Sequence, residues 1–320
     1  MEASNWYDYF MENIHEKFPK NAQLTQELID LLCLEREAVY RRLRKDVVFH
    51  APEVVKIASA WGISLDEIIG INSGAVAFQM QLLNFVNPSK KDFYNLQKRV
   101  SALDHLETAP YSEFMEICNR LPKPLCAGFP TLYRFYIFYW AYQYYQDEAL
   151  KLFSKIIIPE KIVQQFENYY KNMLCVTDSH YILDQNIFEY LVYSIRYYHS
   201  IALVTDEEKE LLKKELFSFI GYLEEIANKG RYPETQSKVN LYISKISVDT
   251  NYSYLFSDKL KICRIHAFGQ YDIASSEPEM VNNFRKWMNL KKRSSIQISE
   301  ANEKHRKEYF AKQREVVAEL

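Results

Sequence analysis

Between residues 24 and 70, LTQELIDLLCLEREAVYRRLRKDVVFHAPEVVKIASAWGISLDEIIG, apolar positions recur at intervals of three and four, the period of helices with one buried face. Leu28, Leu31 and Leu32 give a first helix its apolar face, with Thr25 as N-cap. Cys33 and Leu34 make a short turn. A second helix over 35–45 directs Val39 and Leu43 toward the first and leaves Arg36, Glu37, Tyr40, Arg41 and Arg44 on the opposite side. Arg42 falls in the middle of the packing face, so it must snorkel or pair with an acid such as Glu27 or Asp30. Farther on, Pro52 suits a first helical turn, and Val54, Ile57, Ala58 and Trp61 form another stripe that Gly62 ends. Ser64 and Glu67 then match a capping box opening a short helix through Ile69.

Beyond residue 70 the pattern predicts more helices. Ser89 caps one carrying Phe93, Leu96, Val100 and Leu103, two heptads that are either a dimer seam or one side of a packed helix. Helices are expected over 112–120, from Thr131, and over 159–173, 184–198 and 206–229; Thr205 with Glu208 is a capping box and Gly230 a stop. The segment TLYRFYIFYWAYQYY is hydrophobic nearly all round, which predicts a core helix rather than a ligand-lining one. After Arg231-Tyr232-Pro233 the period shortens. VNLYISKISV, TNYSYLF and KLKICRIHAF read as a small antiparallel sheet, followed by helices over 277–290 and 299–320 flanking a short strand near 295–298. The expected fold class is mainly α: an N-terminal five-helix domain over 1–71, linker helices or a dimer seam over 72–110, a helical domain over 111–232, and a small α+β module over 233–320.

The order and spacing of the front helices, closing on IASAWGISLDEIIG, resemble the Cro and cI repressor family of XRE-type helix-turn-helix domains over residues 6–70. The resemblance implies DNA reading by the helix over 35–45. By position, it puts base contacts on Arg36, Glu37, Tyr40 and Arg41 and phosphate contacts on Gln26, Arg44 and Lys45. Arginine forks and a tyrosine hydroxyl suit that work, because guanidinium groups match both phosphate oxygens and the O6/N7 edge of guanine. Two positions depart from the family pattern. Cys33 stands where glycine is usual, so a left-handed backbone there would cost roughly 1 kcal/mol. Arg42 stands where an aliphatic residue is usual.

Charge restrains the expectation. Residues 1–70 hold eight Lys or Arg against twelve Asp or Glu, a net of −4, so a single copy should bind weakly and a homodimer is expected to grip the duplex. The whole chain is near neutral, at −2 over 320 residues, which excludes a generally basic nucleic-acid coat protein. The most basic window is 285–314, with ten Lys or Arg and three Glu, read as a solvated helix face or a second phosphate contact. Five scattered cysteines without a Cys-x-x-Cys pair fit free thiols in the cytoplasm. Neither a secretory signal nor a membrane span is read in the sequence, since the aromatic run near 135–146 is too short to cross a bilayer.

Catalytic signatures are missing: there is no phosphate-cradling glycine loop, nucleophile elbow or His-Glu-x-x-His, so an enzyme is not expected. No cofactor or metal is expected either, because Cys263 and His266 three apart on a strand face opposite sides and Cys175 with His180 has no partner pair. The sequence therefore leads to a cytoplasmic transcriptional regulator that reads double-stranded DNA as a dimer and carries a sensing or dimerisation region, its effector a small molecule or peptide not named by the sequence. The alternative is a helical interaction scaffold whose front domain does not touch DNA.

Overall fold

The apolar spacing at the front of the chain produces four helices in the computed structural model, which describes residues 5–18, 20–65, 68, 76, 78–144, 152–267 and 269–320. They are α1 (Asn5–Lys17), α2 (Asn21–Leu32), α3 (Arg36–Leu43) and α4 (Ala51–Trp61). Their inner faces meet in one cluster in which Phe10, Ile14, Leu24, Leu28, Val39 and Ile57 lose essentially all contact with water. Each such side chain contributes roughly 1.5–3 kcal/mol. Helix α2 begins one turn earlier than expected, because Leu24 already belongs to the buried face. Thr25 is therefore not an N-cap: it is buried inside the helix, its hydroxyl donating to the Asn21 carbonyl at 2.8 Å. Gly62 closes α4 in the left-handed conformation as the sequence requires. The Ser64–Glu67 capping box and the fifth helix fall largely outside the described residues, which omit 66–67 and 69–75.

The chain divides into two compact units, Met1–Ala77 and Phe78–Leu320. The second is built on one eight-stranded sheet: β1 (Gln79–Met80), β2 (Ser112–Cys118), β3 (Asp178–Leu183), β4 (Lys238–Ile243), β5 (Tyr252–Ser257), β6 (Lys261–Ala267), β7 (Tyr271–Ser275) and β8 (Ile296–Gln297). The spatial order is β1-β7-β6-β5-β2-β3-β4-β8, with β2, β3 and β4 parallel and the other pairs antiparallel. Parallel neighbours need crossovers. The β2-to-β3 crossover contains α6 (Lys123–Cys126), α7 (Pro130–Tyr144) and α8 (Glu160–Leu174), while α9 (Glu189–Ser200) and α10 (Asp206–Lys229) link β3 to β4.

This sheet overturns the expected fold class. The protein is α/β, 56% helix and 14% strand, with a mixed sheet running through the region assigned to a helical middle domain and a small end module. The physical reason lies in β2, SEFMEIC. Every one of its residues is buried, so it lacks the alternation that marks a half-exposed strand, and its two glutamates and methionine favour a helix by propensity. The helix expected over 112–120 is this central strand.

Both faces of the sheet are covered. Helix α11 (Pro278–Arg293) packs Val281, Phe284 and Met288 on one face, against Met115, Ile117, Ile182 and Tyr254. The other face carries α5 (Lys90–Ser101), α7 to α10 and α12 (Glu303–Ala318) in the main core. Helix α7 sits there as its sequence demands, with Phe135, Ile137, Phe138 and Trp140 buried. Ser89 caps α5 together with Asp92, but Leu96, Val100 and Leu103 are buried in the same core. That heptad face is packed within its own unit, the second of the two readings of its spacing.

Candidate functional site

Helices α2 and α3 are joined by a three-residue turn whose first member, Cys33, takes the left-handed conformation with φ 55° and ψ 42°. Its N–H donates to the Ile29 carbonyl at 2.8 Å and closes α2. Glu35 is extended and starts α3, which ends at Leu43 rather than at 45, because Lys45 also turns left-handed at φ 63°. Val39 is buried and Leu43 packs beside it, as the four-residue spacing predicts. All seven side chains assigned to DNA by position, Gln26, Arg36, Glu37, Tyr40, Arg41, Arg44 and Lys45, are exposed.

Their electrostatic states differ. Arg42 is buried and takes Glu53 of α4 as its acid, not Glu27 or Asp30. Arg44 lies 3.2 Å from Glu37 and 3.1 Å from Asp46, and Lys45 is paired with Asp8 of α1. Gln26 donates to Asp30 at 3.1 Å. Among the described residues Arg36, Tyr40 and Arg41 make no ion pair or side-chain hydrogen bond. The outer face of α3 therefore offers two unneutralised guanidinium groups and a phenol along one helix.

In the second unit lies a feature that sequence reasoning missed: a cavity of about 1000 Å³, mouth included, between the sheet and α5, α6 and α8. Strand alternation fills it with polar groups. On β2, Phe114 and Glu116 point into it while Met115 and Ile117 pack under α11; on β6, Arg264 and His266 point in while Cys263 points away. Cys263 and His266 thus cannot share a metal. Asp272 from β7, Lys123 from α6 and Arg99 from α5 complete the ring of charge, and Phe85, Tyr133, Phe166 and Tyr169 supply aromatic walls. Lys123 Nζ is 2.9 Å and His266 Nδ1 3.1 Å from Asp272 Oδ1. Burial opposes ionisation of Asp272, but Lys123 and His266 outweigh it and hold its pKa far below the usual carboxylate range. Burial and the Lys123 charge push His266 down, so it is neutral near pH 7. Arg120 Nη1 stands 3.4 Å from His266 Nε2, which places the ring proton on Nδ1, donated to Asp272.

Glu116 is the unusual member. The residue is only 4% exposed, and burial pushes its carboxyl up to about 8. Oε1 accepts from Asn251 Nδ2 at 3.0 Å, while Oε2 is buried and has no partner among the described residues. The Asn251 amide cannot turn over, because its Oδ1 accepts the Asn119 and Arg120 N–H groups at 2.9 and 3.0 Å. The one sequence signal for this site was the two-residue spacing of Arg264 and His266 in KLKICRIHAF, which puts two polar groups on the inner face of a buried strand.

Compared with known proteins, the chain matches no family model, no curated protein and no solved structure. Among the described residues no helix is long and apolar enough to cross a membrane.

Proposed function

We propose that the chain is a sequence-specific, non-catalytic transcriptional regulator of the cytoplasm that binds double-stranded DNA as a homodimer, with α3 entering the major groove in the manner of XRE-type domains. The single observation that carries this reading is the outer face of α3, where Arg36, Tyr40 and Arg41 are exposed and have no ion pair or side-chain hydrogen bond among the described residues, while Val39 and Arg42 lock the same helix to its neighbours. A rigid helix presenting two guanidinium forks matches direct readout of base edges. The five unpaired thiols suit a reducing compartment. A gel-shift titration over a randomised duplex library tests it: selected sequences should share a pseudo-palindrome, and Arg41→Ala and Tyr40→Ala should each weaken binding to it, by about 1–3 kcal/mol where a base contact is lost. Equal retention of every duplex by the native chain and both variants would remove the proposal.

The internal pairing of Arg44 and Lys45 favours a second reading, a protein-interaction scaffold. Salt separates the two. Contact with about six phosphates loses roughly a thousandfold in affinity between 50 and 200 mM salt, whereas apolar helix docking hardly responds.

A further inference from the structure

We propose that the cavity in the second unit binds a small organic anion, a carboxylate or phosphate head on a planar apolar body, with Arg99 and Arg264 holding the head and the Glu116 carboxylic acid donating a hydrogen bond to an acceptor on the ligand. The inference goes beyond the DNA reading and stands on a different unit of the chain.

Charge is the first support. Lys123 and Asp272 neutralise each other, and His266 is neutral. Arg99 and Arg264 are left over: among the described residues neither guanidinium has an ion pair or hydrogen bond, although both line the cavity. They also stand near each other. Desolvation, then the Arg264 charge, depresses the Arg99 pKa while Asp272 opposes the shift, so two cations face a single carboxylate that Lys123 already pairs. Arg99 is exposed and Arg264 half-buried, and both line the cavity, so an anion entering from solvent meets both. Like charges in such a setting repel, and an anion bridging them relieves that repulsion and gains charge-assisted hydrogen bonds.

Glu116 is the second, independent support. Because Asn251 fixes a donor on Oε1, the carbonyl, the better acceptor, is favoured there, which puts the proton of the neutral acid on Oε2, the buried atom with no partner among the described residues. Among the described residues nothing receives that proton. A buried O–H without an acceptor is costly, and an acceptor atom on a ligand would remove the cost. Phe85, Phe114, Phe166 and Tyr169 then set the shape of the body, since aromatic walls favour a flat apolar group.

The test uses the full chain with three probes: phenyl phosphate, phenylacetate and inorganic phosphate, with benzyl alcohol as the uncharged control. Binding is followed by ligand-observed NMR at millimolar concentration. The first two probes should bind and benzyl alcohol should not. Arg264→Gln, checked by circular dichroism for an intact fold, should weaken the bound probe about tenfold or more. Preference for phenyl phosphate identifies a phosphate head, preference for phenylacetate a carboxylate.

A second variant tests Glu116 separately. The groups facing it are Asn251, Lys123, Cys126, Arg264, Asp272, Tyr169, Tyr181 and its strand neighbour Cys118. Asp272 is held ionised, and burial pushes the tyrosines and cysteines up, so each keeps its charge while Glu116 ionises. Phenylacetate affinity in the native chain should thus fall as pH rises from about 7 to about 9. Glu116→Gln keeps a donor at the Oε2 position and should bind at pH 7 as the native chain does, without the fall. Failure of both aryl anions to bind, or binding untouched by Arg264→Gln, overturns the proposal whatever unit 1 does with DNA; a pH fall retained in Glu116→Gln overturns the role given to that acid.

Discussion

The Arg42 guanidinium meets Glu53 fork to carboxylate, with Nε 2.9 Å from Oε2 and Nη2 2.8 Å from Oε1. Glu53 Oε2 also accepts the His50 N–H at 2.9 Å, so one carboxylate fixes both the start of α4 and the inner face of α3. Burial opposes ionisation of Glu53, but Arg42 and the His50 N–H outweigh it, and its pKa lies below the ordinary value. Stability from this pair is therefore complete above the unfolded glutamate pKa and is lost as pH falls through the lower, folded value. Arg42→Ala should destabilise the first unit by about 3 kcal/mol, since it strands a carboxylate that is mostly enclosed. Denaturant unfolding of the full chain at neutral pH and at acid pH reads both effects. An unchanged transition in the variant would show that the pair holds nothing together.

Cys33 carries a side chain in a conformation that glycine adopts freely, and its thiol is exposed with no contact better than a 3.9 Å approach to the Asp30 carbonyl. Cys33→Gly should raise stability by about 1 kcal/mol, and Cys33→Val should lower it by at least as much, because a β-branched residue is worse there. Thermal unfolding under reducing conditions measures both. A Cys33→Gly variant less stable than the native chain would mean that flexibility gained in the unfolded state exceeds the strain relieved.

Asp8 neutralises Lys45 at the edge of the face assigned to DNA. Removing the acid frees a cation for phosphate and deletes a repulsive charge, at little cost to the fold because both side chains are about half exposed. Asp8→Asn is expected to tighten binding to a selected duplex a few-fold at low salt, with the gain shrinking as salt rises. A gel-shift series in increasing salt shows it. Weaker binding by Asp8→Asn would place Asp8 in a supporting contact instead.

The legible parts of this chain are those with one wet face. Helices α2 to α4 show their buried stripe because their other sides meet water, and the Thr205–Glu208 box and Gly230 bound α10 as read from sequence. Strands β4, β5 and β6 were visible through their β-branched and aromatic runs. Strand β2 was not, being buried on both faces and rich in helix-favouring residues. Without β2 the sheet has no centre, and the cavity residues, from Arg99 to Asp272, have no reason to meet. The partner of Arg42 is hidden in the sequence for a related cause: Glu53 lies eleven residues away on another helix, beyond the reach of a local helical wheel.

Glu116 links the cavity to stability. Its folded pKa, about 8, lies above the value near 4.5 that the unfolded chain presents. Below the unfolded pKa both states hold the proton and the group is neutral in the balance. As pH rises toward 8 the unfolded state releases it and the folded state does not, so stability falls; above 8 both are ionised and the loss is constant. At full extent it amounts to about 3–5 kcal/mol. Glu116→Gln removes the titration while keeping the hydrogen bond from Asn251 Nδ2 to Oε1. The variant should match the native chain near pH 4.5 and become progressively more stable than it up to about pH 8, beyond which the difference stops growing. Urea unfolding at stepped pH gives the curve directly. A difference that does not change with pH would mean that Glu116 is charged in the folded protein, and with it would go the proton placed on Oε2.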